Sequence, residues 1–505
     1  MNRLQRSSIN VFASLIGYAV PMVVNFAATP LLLHSLGEAV YGLQSLVAII
    51  IGYLTVIDMG LDLPIIKYLA EDRAKDDTMA ENRLLSTTVQ LYSAIGLIGM
   101  IVIVSGAGWL AQNVFQMPAE LIPQAVLVFR LAGIGFLGSV GLSWGRAVAM
   151  GLQRFEITYG VSVVTSTVGV GLGLGMVYAG YGVVGYVLMR VCTTLLAGVA
   201  YWIVVRRLVP TFRMQWGIDR SVLKRVRGYV GYGAVNRVLG SLIGRLDQTL
   251  IGIWLGVAAA GVYAVPFLIV SSVGYMISYM LGFIFPMASE LYSLGQLDHL
   301  RDIFTRSTRF IAALGAMAFI PLLVFGDLFL QVWVGPSVTS QASGVLRLLV
   351  LSFYLGTLLV SLINSLVVGI GRIREFTIYG IVRGLVLAVG CLLLIRPFGL
   401  EGAGLALLLS NVIDLFYMRF VLQRYLHYPP ITLFKNAYFA PMALGLVLGG
   451  LFIMLRPIAV SWAGLFAVVS VFELLYIAAG YKLGIFGETE KRAVSGLLQM
   501  VRKTV

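Results

Sequence analysis

The sequence predicts an all-α integral membrane protein of about fourteen transmembrane helices, and three observations carry that reading. Hydrophobic residues make up 59% of the 505 residues and charged residues only 11%, against about 25% charged in a soluble domain. Mean hydropathy is +0.94. The apolar residues fall in continuous runs of roughly 20, the length that crosses about 30 Å of hydrocarbon. So few charges cannot cover a soluble surface. A cytosolic enzyme, a secreted enzyme and a disordered scaffold are excluded together. The net charge of +14 then reports membrane topology, and no nucleic-acid partner is implied.

Taken in order, the spans fall near residues 9–33, 42–59, 84–106, 122–148, 157–178, 183–205, 229–253, 259–285, 308–330, 343–368, 376–395, 402–422, 437–455 and 459–482. Runs of this kind exclude a transmembrane barrel, whose strands alternate with period two over about 10 residues. Arg3 and Arg6 precede the first run as they would in a signal peptide. That run is too long for one, and no small-residue cleavage site follows, so it counts as span one.

Lys and Arg in the connections orient the chain. Connections 34–41, 107–121, 178–183, 254–258 and 331–342 carry none. The alternate ones carry Lys67, Arg73, Lys75 and Arg83, then a run from Arg206 to Arg227, then Arg301 and Arg306, Arg372 and Arg374, and Arg424 and Lys435. Arg396 and Arg456 are the exceptions at outer ends. Both termini are therefore expected to be cytoplasmic.

The longest inner connection, 206–228, reads as an amphipathic helix on the anionic inner surface, with Trp216, Ile218, Val222, Val226 and Val230 on its apolar face. A second such candidate is 488–505. The linker divides the chain into a six-helix bundle at 1–205, a second at 229–425, and two extra helices with a tail at 426–505. A short internal repeat supports the division. Tyr41 through Pro64 resembles Tyr263 through Pro286, and Leu36-Gly37 and Leu255-Gly256 open the corresponding turns.

Ionisable groups inside spans are costly, so each is a candidate for function. The clearest are Arg130, Arg190, Arg237, Arg245, Asp247, Arg383, Asp414 and Glu473, a set in which cations outnumber acids. Either some arginines snorkel to an interface, or a cavity presents positive charge to an anion. Arg237 and Arg245 on span 7 would share a helix face about 12 Å apart, with Asp247 roughly 200° round from Arg245. Arg190 and Arg130, nearer the outer side, are further candidates for the same path. Arg383 and Asp414 lie at matching depth in consecutive antiparallel spans, which suits a structural ion pair. Asn25, bracketed by Pro21 and Pro30, either hydrogen-bonds a substrate or packs the helix. Asp58 and Asp62 either hold a coupling cation or cap a helix end. Glu473 has no assigned role.

No Walker A pattern, serine–histidine–acid set or convergent carboxylate pair is visible. Cys192 and Cys391 lie in apolar runs, and His34, His299 and His427 are scattered, so neither a disulfide framework nor a metal site is expected. No connection exceeds about 25 residues, which leaves no catalytic loop for a membrane polymerase or ligase. The chain reads as a transporter, not an enzyme, with no cofactor.

The opening N-x-x-x-x-x-G-Y-x-x-P, followed by TPLLLHSLGEAVYGLQSLV and DMGLDLPIIKYLAE, resembles the polysaccharide transport family of lipid-linked oligosaccharide flippases. That family lies within the multidrug/oligosaccharidyl-lipid/polysaccharide exporter superfamily. MGLQRFEI, LDQTLIGIWLGVAAAGVYAV and FPMASELYSLGQ echo it further. The resemblance implies a V-shaped pair of six-helix bundles plus two helices, alternating between inward- and outward-open states in a bacterial inner membrane. It implies an undecaprenyl-pyrophosphate-linked oligosaccharide as cargo, for O-antigen, capsule or exopolysaccharide assembly. A proton or sodium is the expected coupling ion if there is one, and membrane lipids, a polysaccharide polymerase and glycosyltransferases are the expected neighbours. Two alternatives share the superfamily. A lipid II flippase would carry arginines in span 1, where this sequence has none beyond Arg6. A multidrug cation antiporter would need central acids, and spans 1–6 contain none.

Overall fold

The computed structural model describes residues 3–54, 61–279 and 284–486, with all their side chains except those of 3–16, 18, 53–54, 227–238, 279 and 286. The described residues form helices and no strand. Ten helical stretches among them are long and apolar enough to cross a membrane, so the protein is a multi-pass membrane protein. The chain forms two compact units, Met1–Ala264 and Val265–Val505.

The first unit contains α1 (Arg3–Leu36), α2 (Glu38–Leu54), α3 (Asp62–Ala74), α4 (Thr78–Trp109), α5 (Ile122–Gly151), α6 (Phe155–Met176), α7 (Gly182–Leu208), α8 (Arg220–Ile243), α9 (Leu246–Trp254) and the start of α10 (Val257–Tyr279). In lipid, helices gain little from burying apolar area against one another and associate through close approach of small residues. Thus Gly99 of α4 seats the ring of Phe136 on α5, and Gly145 of α5 seats Tyr201 of α7. α6 and α7 form a hairpin that reverses at Gly180, and α1 packs on α6. Pro21 and Pro30 lie inside α1 without ending it.

The repeat seen in the sequence has a structural counterpart. Gly37 and Gly256, at φ 79° and 88°, start α2 and α10 in the left-handed region that glycine enters without a Cβ clash. Further along, Gly42 and Gly261 meet where the two helices cross. A Cβ on Gly42 would strike the Val257 carbonyl, and one on Gly261 would strike the Glu38 carbonyl. The same offset separates Gly37 from Gly256, Glu38 from Val257 and Gly42 from Gly261, so the crossing is pseudo-two-fold. The short helices that follow α2 and α10 are α3, with Pro64 in its first turn, and α11 (Ile284–Ser293), with Pro286 in its first turn.

The second unit continues with α11, α12 (Leu297–Val334), α13 (Pro336–Gly369), α14 (Ile373–Tyr425), α15 (Pro430–Leu433), α16 (Phe439–Phe452) and α17 (Trp462–Lys482). α14 folds back on itself at Gly399, φ 58°. Gly390 then lies on Ala406 and Gly402 on the Leu394 carbonyl, so its two segments run antiparallel. At the α12–α13 turn, Asp327 Oδ2 accepts from Arg347 at 3.2 Å and from Arg456 at 2.7 Å. Arg456 also donates to the Val324 carbonyl. One acid thereby ties α12 to α13 and to the turn between α16 and α17.

The connection at 206–228 departs from the expected single amphipathic helix. α7 ends at Leu208, residues 209–219 are not helical, and α8 begins at Arg220 under an Asp219 N-cap. Val222 and Val226 are buried in a core shared with α3 and α4, whereas Trp216 and Ile218 are exposed. The Val230 side chain and the 488–505 candidate lie outside the described residues.

Candidate functional site

Span 7 is not one helix. α8 stops at Ile243, Gly244 and Arg245 intervene, and α9 starts at Leu246. Arg245 has φ −135° and ψ 7°, so helical phase is not carried through it. The shared face expected for Arg237 and Arg245 therefore does not follow from their spacing. The Arg237 side chain lies outside the described residues.

Arg245 reaches the C-terminal turns of α2. Its Nη1 donates to the Ala48 carbonyl at 3.3 Å, and its Nε lies where a Cβ on Gly52 would be only 2.8 Å away. Ser241 donates to the Gly52 carbonyl at 2.8 Å beside it. A guanidinium suits the negative end of a helix. That single long bond leaves most of its five donors open among the described residues. Asp247, two residues on, is 1% exposed. Its Oδ2 accepts from Tyr263 of α10 at 2.5 Å and its Oδ1 from the Gln248 amide at 2.8 Å. Asp247 thus braces α9 against α10, and Tyr263 is the partner that sequence spacing does not reveal.

Arg190 stands on α7 with Nη1 buried and without a hydrogen-bond partner among the described residues. Its stem passes Gly169 of α6, where a Cβ would come within 3.5 Å of Cδ. One turn along α7, Thr193 borders an apolar groove of about 350 Å³ between α6 and α7, lined by Val161, Val164, Val168, Leu196 and Ala197. Arg130 is exposed on α5. Asn25 of α1 donates to the Pro21 carbonyl at 2.7 Å and to Ser166 Oγ of α6 at 3.4 Å, a link between those two helices.

In the second unit, Arg383 Nε lies 2.8 Å from Asp414 Oδ1 across the two segments of α14. Tyr379 donates to the same oxygen at 2.8 Å. Arg383 also donates to Asn411 Oδ1 at 3.4 Å, and Asn411 donates to the Ser352 carbonyl of α13 at 2.8 Å. Tyr379 stacks on Tyr417 with ring centroids 4.0 Å apart. Asp414 is fully buried, and its Oδ2 has no partner among the described residues. Arg383 is thus neutralised within its own unit. Glu473 of α17 has a buried, unpartnered Oε2 among the described residues. Asp62 accepts from the Leu63 amide at 2.9 Å at the start of α3, while Asp58 lies outside the described residues. Among the described residues no group of three or more His, Cys, Asp or Glu is placed to hold a metal.

The chemistry on offer is lopsided. Guanidinium donors without acceptors among the described residues stand on the membrane helices of the first unit, and the acid nearest Arg245 in sequence, Asp247, has each oxygen in a hydrogen bond. Such donors fit paired oxygens on an anion.

A family model described as polysaccharide biosynthesis protein matches residues 35–341. The chain is 22% identical over 346 residues to the uncharacterized membrane protein EpsK of Bacillus subtilis, covering 66% of each chain. It is 20% identical over 375 residues to a candidate O-antigen transporter of Shigella flexneri, covering 71% of this chain and 83% of that one. Among solved structures, the lipid II flippase MurJ in an inward closed conformation gives a TM-score of 0.73 over 95% of this chain and 100% of that one, at 10% identity. An inward-facing multidrug resistance MATE family transporter of the MOP superfamily gives 0.68 over 84% and 99%, at 16% identity. At such identities the structural likeness concerns the fold.

Proposed function

The chain belongs to the polysaccharide biosynthesis protein family and has the fold of the MOP superfamily transporters, and on that premise we propose that it is a flippase for an undecaprenyl-pyrophosphate-linked oligosaccharide. It moves the cargo from the inner to the outer leaflet of a bacterial cytoplasmic membrane by alternating access, with both termini inside. The observation that carries this reading is the pair of arginines with open donors in the first unit, Arg190 and Arg245. A pyrophosphate offers oxygen pairs that match a guanidinium fork, and a fixed positive charge inside the membrane costs less once an anion joins it. The groove between α6 and α7 suits part of an isoprenoid tail, since it is apolar and begins one turn from Arg190.

The potential can drive this step without a nucleotide. Moving one charge through 100 mV is worth about 2.3 kcal/mol, so two negative charges leaving a negative interior gain roughly 4–5 kcal/mol. Antiport of a proton or sodium would add to that. A cation antiporter would need an acid with free oxygens near the path, and Asp247 lacks them. A lipid II carrier would use the same anion chemistry, so it enters the test as a competing cargo. Polymerases and glycosyltransferases remain proposed neighbours.

The test is reconstitution into liposomes with a fluorescent undecaprenyl-pyrophosphate oligosaccharide, following loss of inner-leaflet protection from dithionite. The reading expects equilibration faster than in protein-free vesicles. Protein-free rates across several glycans, under an imposed potential and ion gradient, would refute it. Lipid II moved in preference would reassign the cargo.

A further inference from the structure

Residues 211–219 do not hang between two helices; they are fastened along α4. Asn82, Ser86 and Gln90 stand one turn apart on that helix. Asn82 accepts from the Arg213 amide at 2.8 Å and donates to the Thr211 carbonyl at 3.1 Å. Ser86 Oγ accepts from the Gln215 amide at 3.0 Å. Gln90 accepts from the Gly217 amide at 3.0 Å and donates to the Gln215 carbonyl at 2.9 Å. The Asp219 amide then donates to Thr87 Oγ1 at 3.2 Å, and α8 turns back. Alternate residues of an extended segment share a face. One face of residues 212–216 reads Phe212, Met214 and Trp216; Ile218 follows Gly217, which turns the chain at φ 107°. The first two members of that face pack into the core with Trp144 and Trp202. Trp216 and Ile218 leave the protein, 88% and 48% exposed.

Depth says what covers them. From Gln90, where the segment reaches furthest along α4, to the exposed Trp109 at the far end of that helix is about 28 Å at 1.5 Å per residue. That is close to the hydrocarbon thickness, about 30 Å. Between the two, α4 exposes Leu97, Ile98, Ile101 and Val102. Trp216 is therefore held level with the membrane interface on the basic side, the depth at which tryptophan is enriched. Arg213, Arg220 and Lys224 beside it are exposed. We propose that residues 211–219 are an interfacial anchor that seats Trp216 and Ile218 among the head groups of an anionic lipid surface, with the three basic side chains on the phosphates.

The full-length protein, with Cys192 and Cys391 replaced, would carry one nitroxide at Trp216→Cys or Ile218→Cys, and for reference at Met79→Cys. Met79, exposed in the first turn of α4, lies about 16 Å below Gln90 along the helix. In phosphatidylcholine vesicles containing phosphatidylglycerol, oxygen should relax the labels at 216 and 218 severalfold more, relative to a water-soluble nickel chelate, than the label at 79. Arg213→Gln with Arg220→Gln should reduce that preference, and so should omitting phosphatidylglycerol. Equal nickel access at 216 and 79 would overturn the proposal. Shielding of 216 from both reagents would overturn it too, by pointing to a protein neighbour, and indifference to phosphatidylglycerol would remove the anionic surface.

Discussion

Replacing Gly42 by Ala should destabilise the protein, whereas the same replacement at Gly171 should stabilise it. A helix-interior glycine costs about 0.5–1 kcal/mol relative to alanine, so each change begins with that gain. Gly171 of α6 faces open space, and nothing opposes the gain. At Gly42 the added methyl would strike the Val257 carbonyl oxygen, with the carbonyl carbon at 2.8 Å and the Gly261 nitrogen at 3.0 Å. These are backbone atoms and cannot rotate aside, so α2 and α10 must separate. Overpacking costs about 1–3 kcal/mol, and a backbone collision belongs at the upper end. The net loss is about 2 kcal/mol, roughly a 30-fold change in the folded-to-unfolded ratio. Gly261→Ala should lose a similar amount, because its methyl meets the Gly42 nitrogen at 2.9 Å. The double variant should lose less than the two together, since one separation serves both. Equilibrium unfolding in detergent or bicelles measures the native protein and all four variants. Gly42→Ala as stable as Gly171→Ala, or strict additivity at the crossing, would refute the reasoning.

Three further outcomes are expected. Asp414→Asn removes the charge that neutralises Arg383 and should cost about 3 kcal/mol, while Arg383→Met with Asp414→Leu should recover most of that loss in the same unfolding assay. Hydrogen bonds from the Ser221 hydroxyl and amide hold the Asp219 carboxyl below the usual aspartate value. A depressed folded pKa means that this contribution is present above the unfolded value, near 3.9, and lost as pH falls through the lower folded one. Amide protection at Ser221 and Val222, corrected for intrinsic exchange, should therefore be flat from neutral pH to about 5 and fall below about 4. Asp219→Asn should abolish that pH dependence. Finally, Arg245→Glu should abolish cargo movement in a folded protein, and Arg245→Lys should keep part of it, because the charge survives while the planar fork is lost.

Most of the fold was legible because a membrane helix announces itself by a long apolar run, and Gly37 and Gly256 marked equivalent helix starts. The break at Gly244 and Arg245 was not, since residues with unexceptional helix propensity surround it and tertiary contacts to α2 hold it. Residues 209–219 adjoin the basic stretch after Arg220, whose helical period masks their own pattern. Phe212, Met214, Trp216 and Ile218 carried the period-two signal of extended chain. Asn82, Ser86 and Gln90, a polar stripe on a helix entering the membrane, were a second available clue. Asp327 and Arg347 sit inside strongly apolar spans, and their proximity depends on a helical turn that sequence separation does not show. Tyr263 beside Asp247, and Asn411 and Tyr379 around Asp414, are contacts set by packing and carry no motif.

The central claim is that cations in the first unit carry an anionic head group across the membrane. The most direct measurement compares leaflet exchange of a pyrophosphate-linked oligosaccharide and an uncharged lipid of the same glycan and tail, in vesicles holding either the native protein or Arg190→Gln with Arg245→Gln. The account predicts that the native protein moves the charged lipid faster and that the double variant loses this advantage while staying folded. Equal rates for the two lipids, or an unaltered advantage in the folded variant, would contradict it.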